Sequence, residues 1–143
     1  MASFPTPSVN WTSSRENFEK GFESIFVGQP QTTRSDLENL FTRNYTSLID
    51  GKPLGLEEFI QHIHHLRENT ANVNVNVTHF LREGNQLAER HFVTVEFSNK
   101  PTSKYEVFLF ATVHKSGRIE NLVETLRHLE GLEEDGNLGS ATA

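Results

Sequence analysis

Seven histidines and nineteen acidic side chains occur in a chain without cysteine. Chemistry here must therefore run on imidazole and carboxyl groups, the pairing that serves general acid–base catalysis near neutral pH. His91 falls mid-strand with Leu87, Glu89, Val93 and Val95 on its parity, so it is expected to point to the apolar side. Glu124 stands between Leu122 and Leu126 on one face of another alternating run. A carboxylate buried there without a partner costs several kcal/mol, so it must be protonated, paired or open to a cavity. If His91 and Glu124 lie apart in a dry interior, one can serve as base and the other as acid; if they touch, they form a structural ion pair. His62 flanks the apolar stripe of a helix and is expected at a pocket rim. Asp50 precedes Gly51 in a turn dipeptide, and Tyr45 can donate a hydrogen bond into a pocket or anchor a helix end. His62 and His65 are one helical turn apart, but H-E-x-x-H is absent and no third ligand is identifiable, so no metal is expected.

The elements that must position these groups follow from periodicity. Ser13 or Ser14 caps a first helix whose Phe18, Phe22, Ile25 and Phe26 share one face. A short second helix runs from about Ser35 through Leu37, Leu40 and Phe41, and NYTSLIDGKPLG reads as a loop. Leu56 to Asn69 is a third helix with Leu56, Phe59, Ile60, Ile63 and Leu66 buried. From Asn72 the period becomes two, and turns at Glu83-Gly84-Asn85, Asn99–Thr102 and Lys115-Ser116-Gly117 delimit four strands. The run from Lys104 is apolar on both faces, as in the interior of a sheet covered on both sides. Helices followed by strands predict an α+β fold, an antiparallel sheet with the helices on one face. Residues 1–13 read as an irregular arm, 14–130 as one domain and 131–143 as a flexible acidic tail, of which 132–143 are expected to be dispensable for folding.

Composition narrows the partners. Net charge is −6 with scattered basic residues, so the footprint needed to bind nucleic acid is missing. No apolar run reaches the ~18 residues of a membrane span and no signal-peptide pattern opens the chain, so a soluble cytoplasmic protein is expected. No phosphate loop, nucleotide fingerprint or G-x-S-x-G elbow occurs, and no cofactor is expected. Eleven phenylalanines suit a small apolar ligand, flat and polycyclic or aromatic. Phe108, Phe110 and Thr112 lie opposite Leu109 and Ala111 on one strand. One domain's helices cover only one such face, so a homodimer is expected.

The element order, with Tyr45…Asp50-Gly51, Gly55–Ile60 (GLEEFI), Glu83–Leu87 (EGNQL) and Ser116–Ile119 (SGRI), resembles the nuclear transport factor 2-like superfamily. Within it, the chain is most similar to the ketosteroid-isomerase and SnoaL-like (polyketide cyclase) branch, over about residues 15–130. The resemblance implies a cone, in which three N-terminal helices pack in a strongly curved antiparallel sheet around a pocket, and commonly a homodimer. It places Asp50 at or near the isomerase base, while Leu109 stands where a second, acidic donor would be. The first helix offers Phe18, Phe22 and Phe26 in place of the donor tyrosine, and Leu122 stands where a histidine is common, with Glu124 at a neighbouring acidic position. The implied function is cofactor-independent proton transfer on an apolar polyketide- or terpenoid-like metabolite: isomerisation, cyclisation or dehydration. His91, Glu124, Asp50 and His62 are the catalytic candidates; Tyr45, Phe22, Leu109 and Leu122 are the substrate-binding ones. The alternative is a non-catalytic binding or assembly domain of the same fold.

Overall fold

The computed structural model describes residues 10–137. Among the described residues, the three α-helices, α1 (Arg15–Val27), α2 (Thr33–Leu40) and α3 (Leu56–Asn69), all lie in the first half of the chain. Six strands accompany them: β1 (Phe41–Ile49), β2 (Lys52–Gly55), β3 (Thr70–Glu83), β4 (Gln86–Phe97), β5 (Ser103–Val113) and β6 (Ile119–Glu130). They form one sheet in the order β2-β1-β6-β5-β4-β3. The fold is α+β as expected, with two corrections. The sheet is mixed, because β1 runs parallel to β6 while every other neighbouring pair is antiparallel. It also has six strands: the segment expected as a helix end and a loop is the β1–β2 hairpin. Phe41 continues the helical spacing of Leu37 and Leu40, which hid a strand whose Phe41, Tyr45, Ser47 and Ile49 are its buried residues.

Local chemistry fixes the helix ends. The Asn17 N–H donates to Ser14 Oγ at 3.1 Å, and the Gly55 N–H donates to Glu58 Oε1 at 3.1 Å at the start of α3. α1 also closes the free edge of β3: Val75 N–H donates to Glu23 Oε1 and Val77 N–H to Glu19 Oε2, both at 2.9 Å. Edge N–H groups satisfied this way no longer offer a template for another strand, and α1 is pinned across the inner face.

Trp11 lies 4.9 Å from Phe18 in a parallel stack and is 1% exposed. Gly21 makes that possible, since a Cβ there would sit 2.7 Å from the Trp11 Cβ. Gly21→Ala is therefore expected to destabilise by about 1–3 kcal/mol through overpacking, although alanine is the better helix former by up to ~1 kcal/mol. A urea midpoint equal to or above that of the wild type would count against this packing.

Of the expected N-terminal arm, residues 1–9 lie outside the described residues. The expected tail differs from expectation at Glu133–Asn137, which forms a 3-10 turn on the body. Lys100 Nζ pairs with Asp135 Oδ1 at 2.6 Å, and the Tyr105 hydroxyl donates to the Asp135 carbonyl at 2.6 Å. Polar anchoring, which apolar counting misses, holds this turn; residues 138–143 lie outside the described residues.

Candidate active site

The inner face of the sheet carries Leu87, Val93 and Val95 on β4, Val107, Leu109 and Ala111 on β5, and Leu122 on β6, all buried. α1 and α3 cover it with Phe22, Ile25, Phe59, Ile63 and Leu66. Between these layers lies a cavity of about 40 Å³, room for a few waters at roughly 10–15 Å³ each. Phe26, Thr70 and Leu126 are the half-buried lining residues and mark its open end. Among the described residues, the polar lining consists of Tyr45, His62, Thr70, His91 and Glu124, with no lysine or arginine.

The structure brings six of the eight residues named from sequence to this cavity: His62, His91, Glu124, Tyr45, Phe22 and Leu122. It does not bring Asp50 there. Asp50 sits exposed in the β1–β2 turn at φ 50°, and its Oδ1 accepts the Leu126 N–H at 2.9 Å. Its work is turn chemistry. Leu109 is 1% exposed and packs in the core away from the lining.

Glu89 escaped the sequence reading as a functional residue. On β4 it is two residues from His91, hence on the same face, and both side chains are fully buried. His91 Nδ1 lies 2.8 Å from each Glu89 carboxylate oxygen. Burial raises the Glu89 pKa, while the bond to His91 opposes that rise. An ionised Glu89 accepts only, so Nδ1 carries the proton between them, and in the neutral imidazole Nε2 then keeps its lone pair. That Nε2 is buried without a hydrogen-bond partner among the described residues. Phe22 packs against the imidazole, ring centroids 4.5 Å apart, which fixes the ring plane. The signal in the sequence was the i, i+2 spacing of an acid and a histidine on an otherwise aliphatic face.

Glu124 is not the partner of His91. Leu109 pairs with Glu89 on one side and Glu124 on the other, so two strand spacings separate the acids by roughly 10 Å at the backbone. Burial pushes the Glu124 carboxyl up to about 8, and the charges of Glu89 and Asp50 push the same way. It is therefore a neutral acid at pH 7. The Tyr45 hydroxyl is buried without a hydrogen-bond partner among the described residues, and burial raises its pKa well above that of free tyrosine. The cavity thus offers a lone pair on one wall and two proton donors on others. Among the described residues, no group of three His, Asp or Glu side chains is arranged to hold a metal ion. None of their helices is long and apolar enough to cross a membrane.

The fold is that of the nuclear transport factor 2-like proteins. The chain belongs to one family with an uncharacterized protein of Schizosaccharomyces pombe, 33% identical over 109 residues, covering 76% of this chain and 83% of the relative. A nuclear transport factor 2-like protein of unknown function from Exiguobacterium sp. 255-15 superimposes with a TM-score of 0.63 at 13% identity, over 84% of this chain and 98% of its own. A candidate SnoaL-like polyketide cyclase from Jannaschia sp. CCS1 superimposes with a TM-score of 0.59 at 16% identity, over 88% and 90%. At such identities the likeness is one of fold. No protein-family model matches the chain.

Proposed function

We propose that the protein is a cofactor-independent proton-transfer enzyme, an isomerase, cyclase or dehydratase, acting on an apolar polyketide- or terpenoid-like metabolite. The observation that carries this reading is the His91 Nε2, without a hydrogen-bond partner among the described residues, oriented by Glu89 and lining an apolar cavity that also holds protonated Glu124. In isomerisation, Nε2 takes a proton from carbon next to a carbonyl. The C–H electron pair moves into the carbonyl, whose oxygen is met by the Glu124 O–H, and the His91 proton returns at a different carbon. In dehydration the same base acts while Glu124 gives its proton to the departing hydroxyl, which leaves as water. Glu89 is a positioning residue in both, since it selects the tautomer without reaching the substrate. The cavity is narrow, so a ring-sized ligand enters only as Phe26 and Leu126 swing outward.

The reading is tested by incubating the protein with a metabolite extract in deuterium oxide and following deuteration or loss of water by mass spectrometry. Wild-type protein is expected to act on a specific component, with the rate falling ~10²–10⁴-fold in His91→Gln. Undiminished turnover in a folded His91→Gln protein, or no protein-dependent change at all, would contradict it.

The outer sheet face supports a homodimer. Phe108, Phe110, Val123 and Leu48 are 44%, 65%, 41% and 41% exposed, and Phe110, Val123 and Leu48 fall in one cross-strand row. Beside them Glu106 accepts from Arg127 Nε and Arg90 Nε, each at 2.8 Å, and these arginines hold its pKa low. Such a charged rim beside an apolar strip is the composition of an interface. Sedimentation at micromolar concentration is expected to give a dimer, and Phe110→Glu a monomer. A wild-type monomer sinks this assembly, which is also where a non-catalytic role would reside.

A further inference from the structure

The last described segment lies beside the open end of the cavity. On the inner face of the sheet, His91, Val107 and Leu126 form one cross-strand row, and Val93, Tyr105 and His128 form the next. The turn at Glu133–Asn137 is docked on that second row. Its Asp135 carbonyl accepts from the Tyr105 hydroxyl at 2.6 Å, and Asp135 Oδ1 pairs with Lys100 Nζ at 2.6 Å. Tyr105 stacks on His128, ring centroids 4.9 Å apart, and Gly136 stands over that imidazole, where a Cβ would lie 3.7 Å from Nδ1. The turn therefore ties together the loop before β5, β5 itself and the end of β6. Its approach is close: at Gly131, with φ 113°, a Cβ would stand 2.8 Å from the Ser103 Cβ.

The docked turn is also poised to open. Of residues 131–136 only Asp135 is buried, so polar contacts hold the segment and little apolar surface resists its release. Ser103 Oγ, His128 Nε2 and Asp135 Oδ2 are buried there without hydrogen-bond partners among the described residues. Each is a cost of the docked state that hydration recovers on opening. We infer that residues 131–137 are a strap that gates the cavity. While docked, the strap fixes His128 against Tyr105 and so confines Leu126, its neighbour on the same face of β6. When it lifts, the end of β6 loosens and the Leu126 side chain turns aside into the space that His128 leaves. The inference rests on the cavity assigned above as the reaction site, and not on the chemistry inside it.

Diethyl pyrocarbonate, which carbethoxylates neutral imidazoles, tests this without a substrate. His128 reports release of the strap, His91 reports opening of the cavity, and the exposed His79 is the reference. Labelling at each histidine is followed by peptide mass spectrometry. Wild-type protein is expected to react slowly at both His91 and His128. Truncation after Gly131 is expected to raise both rates by roughly tenfold or more relative to His79. Lys100→Met removes only a partly exposed ion pair and is expected to raise both by roughly threefold. Faster labelling of His128 with His91 at its wild-type rate overturns the inference, as does a truncated protein in which neither rate changes. If circular dichroism shows that truncation unfolds the chain, Lys100→Met decides: a joint rise supports the strap, and an unchanged His91 overturns it. The two readings fail separately. Loss of the proton-transfer reading leaves this labelling pattern intact, and loss of the strap leaves the dependence of turnover on His91 intact.

Discussion

Glu124→Gln is expected to remove most of a decline in stability that the wild-type protein suffers between about pH 4.5 and pH 8. The carboxyl has an ordinary value of 4.5 and is pushed to about 8 in the folded protein. Between those values the unfolded chain has lost its proton while the native protein retains it. The native state thus binds more protons, and stability falls as pH rises. The contribution is fully present below pH 4.5, fades at about 1.4 kcal/mol per pH unit, and is gone above pH 8, on the order of 5 kcal/mol in all. Glutamine fills the same space without titrating. Urea denaturation across this range is expected to give a steep downward slope for the wild type and a much flatter one for the variant. Burial raises Glu89 as well, so some slope of the same sign persists. A variant that is more robust at pH 8 yet slower in turnover would mark Glu124 as a residue whose cost in stability serves chemistry. Parallel slopes would place an ionised Glu124 in the native protein.

The second large effect is purely structural. The Arg67 side chain is fully buried. Its Nε donates to the Ile25 carbonyl at 2.8 Å, and Nη1 donates to the Gln29 carbonyl at 2.8 Å and Asp36 Oδ2 at 2.9 Å. Nη2 donates to the Ser24 carbonyl at 3.3 Å. One guanidinium therefore satisfies carbonyls at the end of α1 and ties α1, α2 and α3 together. Gly28 leaves the room for it, since a Cβ there would lie 2.5 Å from the Arg67 Cζ. Arg67→Met keeps much of the volume but strands those acceptors, and a loss of about 3–5 kcal/mol is expected. Thermal unfolding should show it as a Tm lower by roughly 10 °C or more. A shift of only a degree or two would mean that water replaces the guanidinium at little cost.

Periodicity made most of this molecule legible before its structure. α3 has the expected bounds, Leu56 to Asn69, and β3 to β6 follow the alternations read from Asn72 onward. β1 was hidden because Arg43, Asn44 and Thr46 interrupt its apolar residues and Phe41 extends the spacing of α2. Its parallel pairing with β6 is a non-local contact that no local pattern encodes. In the site, aliphatic neighbours on the same parity were enough to turn His91 and Glu124 inward. Parity left open whether His91 and Glu124 touch; strand spacing holds Glu124 away, while Glu89, two residues along, bonds His91. Arg67 falls four residues after Ile63, on the buried stripe itself, and its charge concealed a position that spacing alone would have assigned to the interior. Asp50 drew attention through resemblance, yet its positive φ and its bond to the Leu126 N–H commit it to the turn.

The central claim is that a neutral acid faces an unprotonated imidazole nitrogen across an apolar cavity. Carbon-13 NMR of the side-chain carboxyls, with the Glu124 signal assigned by its absence in Glu124→Gln, measures this most directly. A midpoint near 8 is expected, with Glu124 protonated at pH 7. A midpoint between about 4 and 5, the range of an ordinary glutamate, would leave a carboxylate where the mechanism needs a proton and would contradict the account.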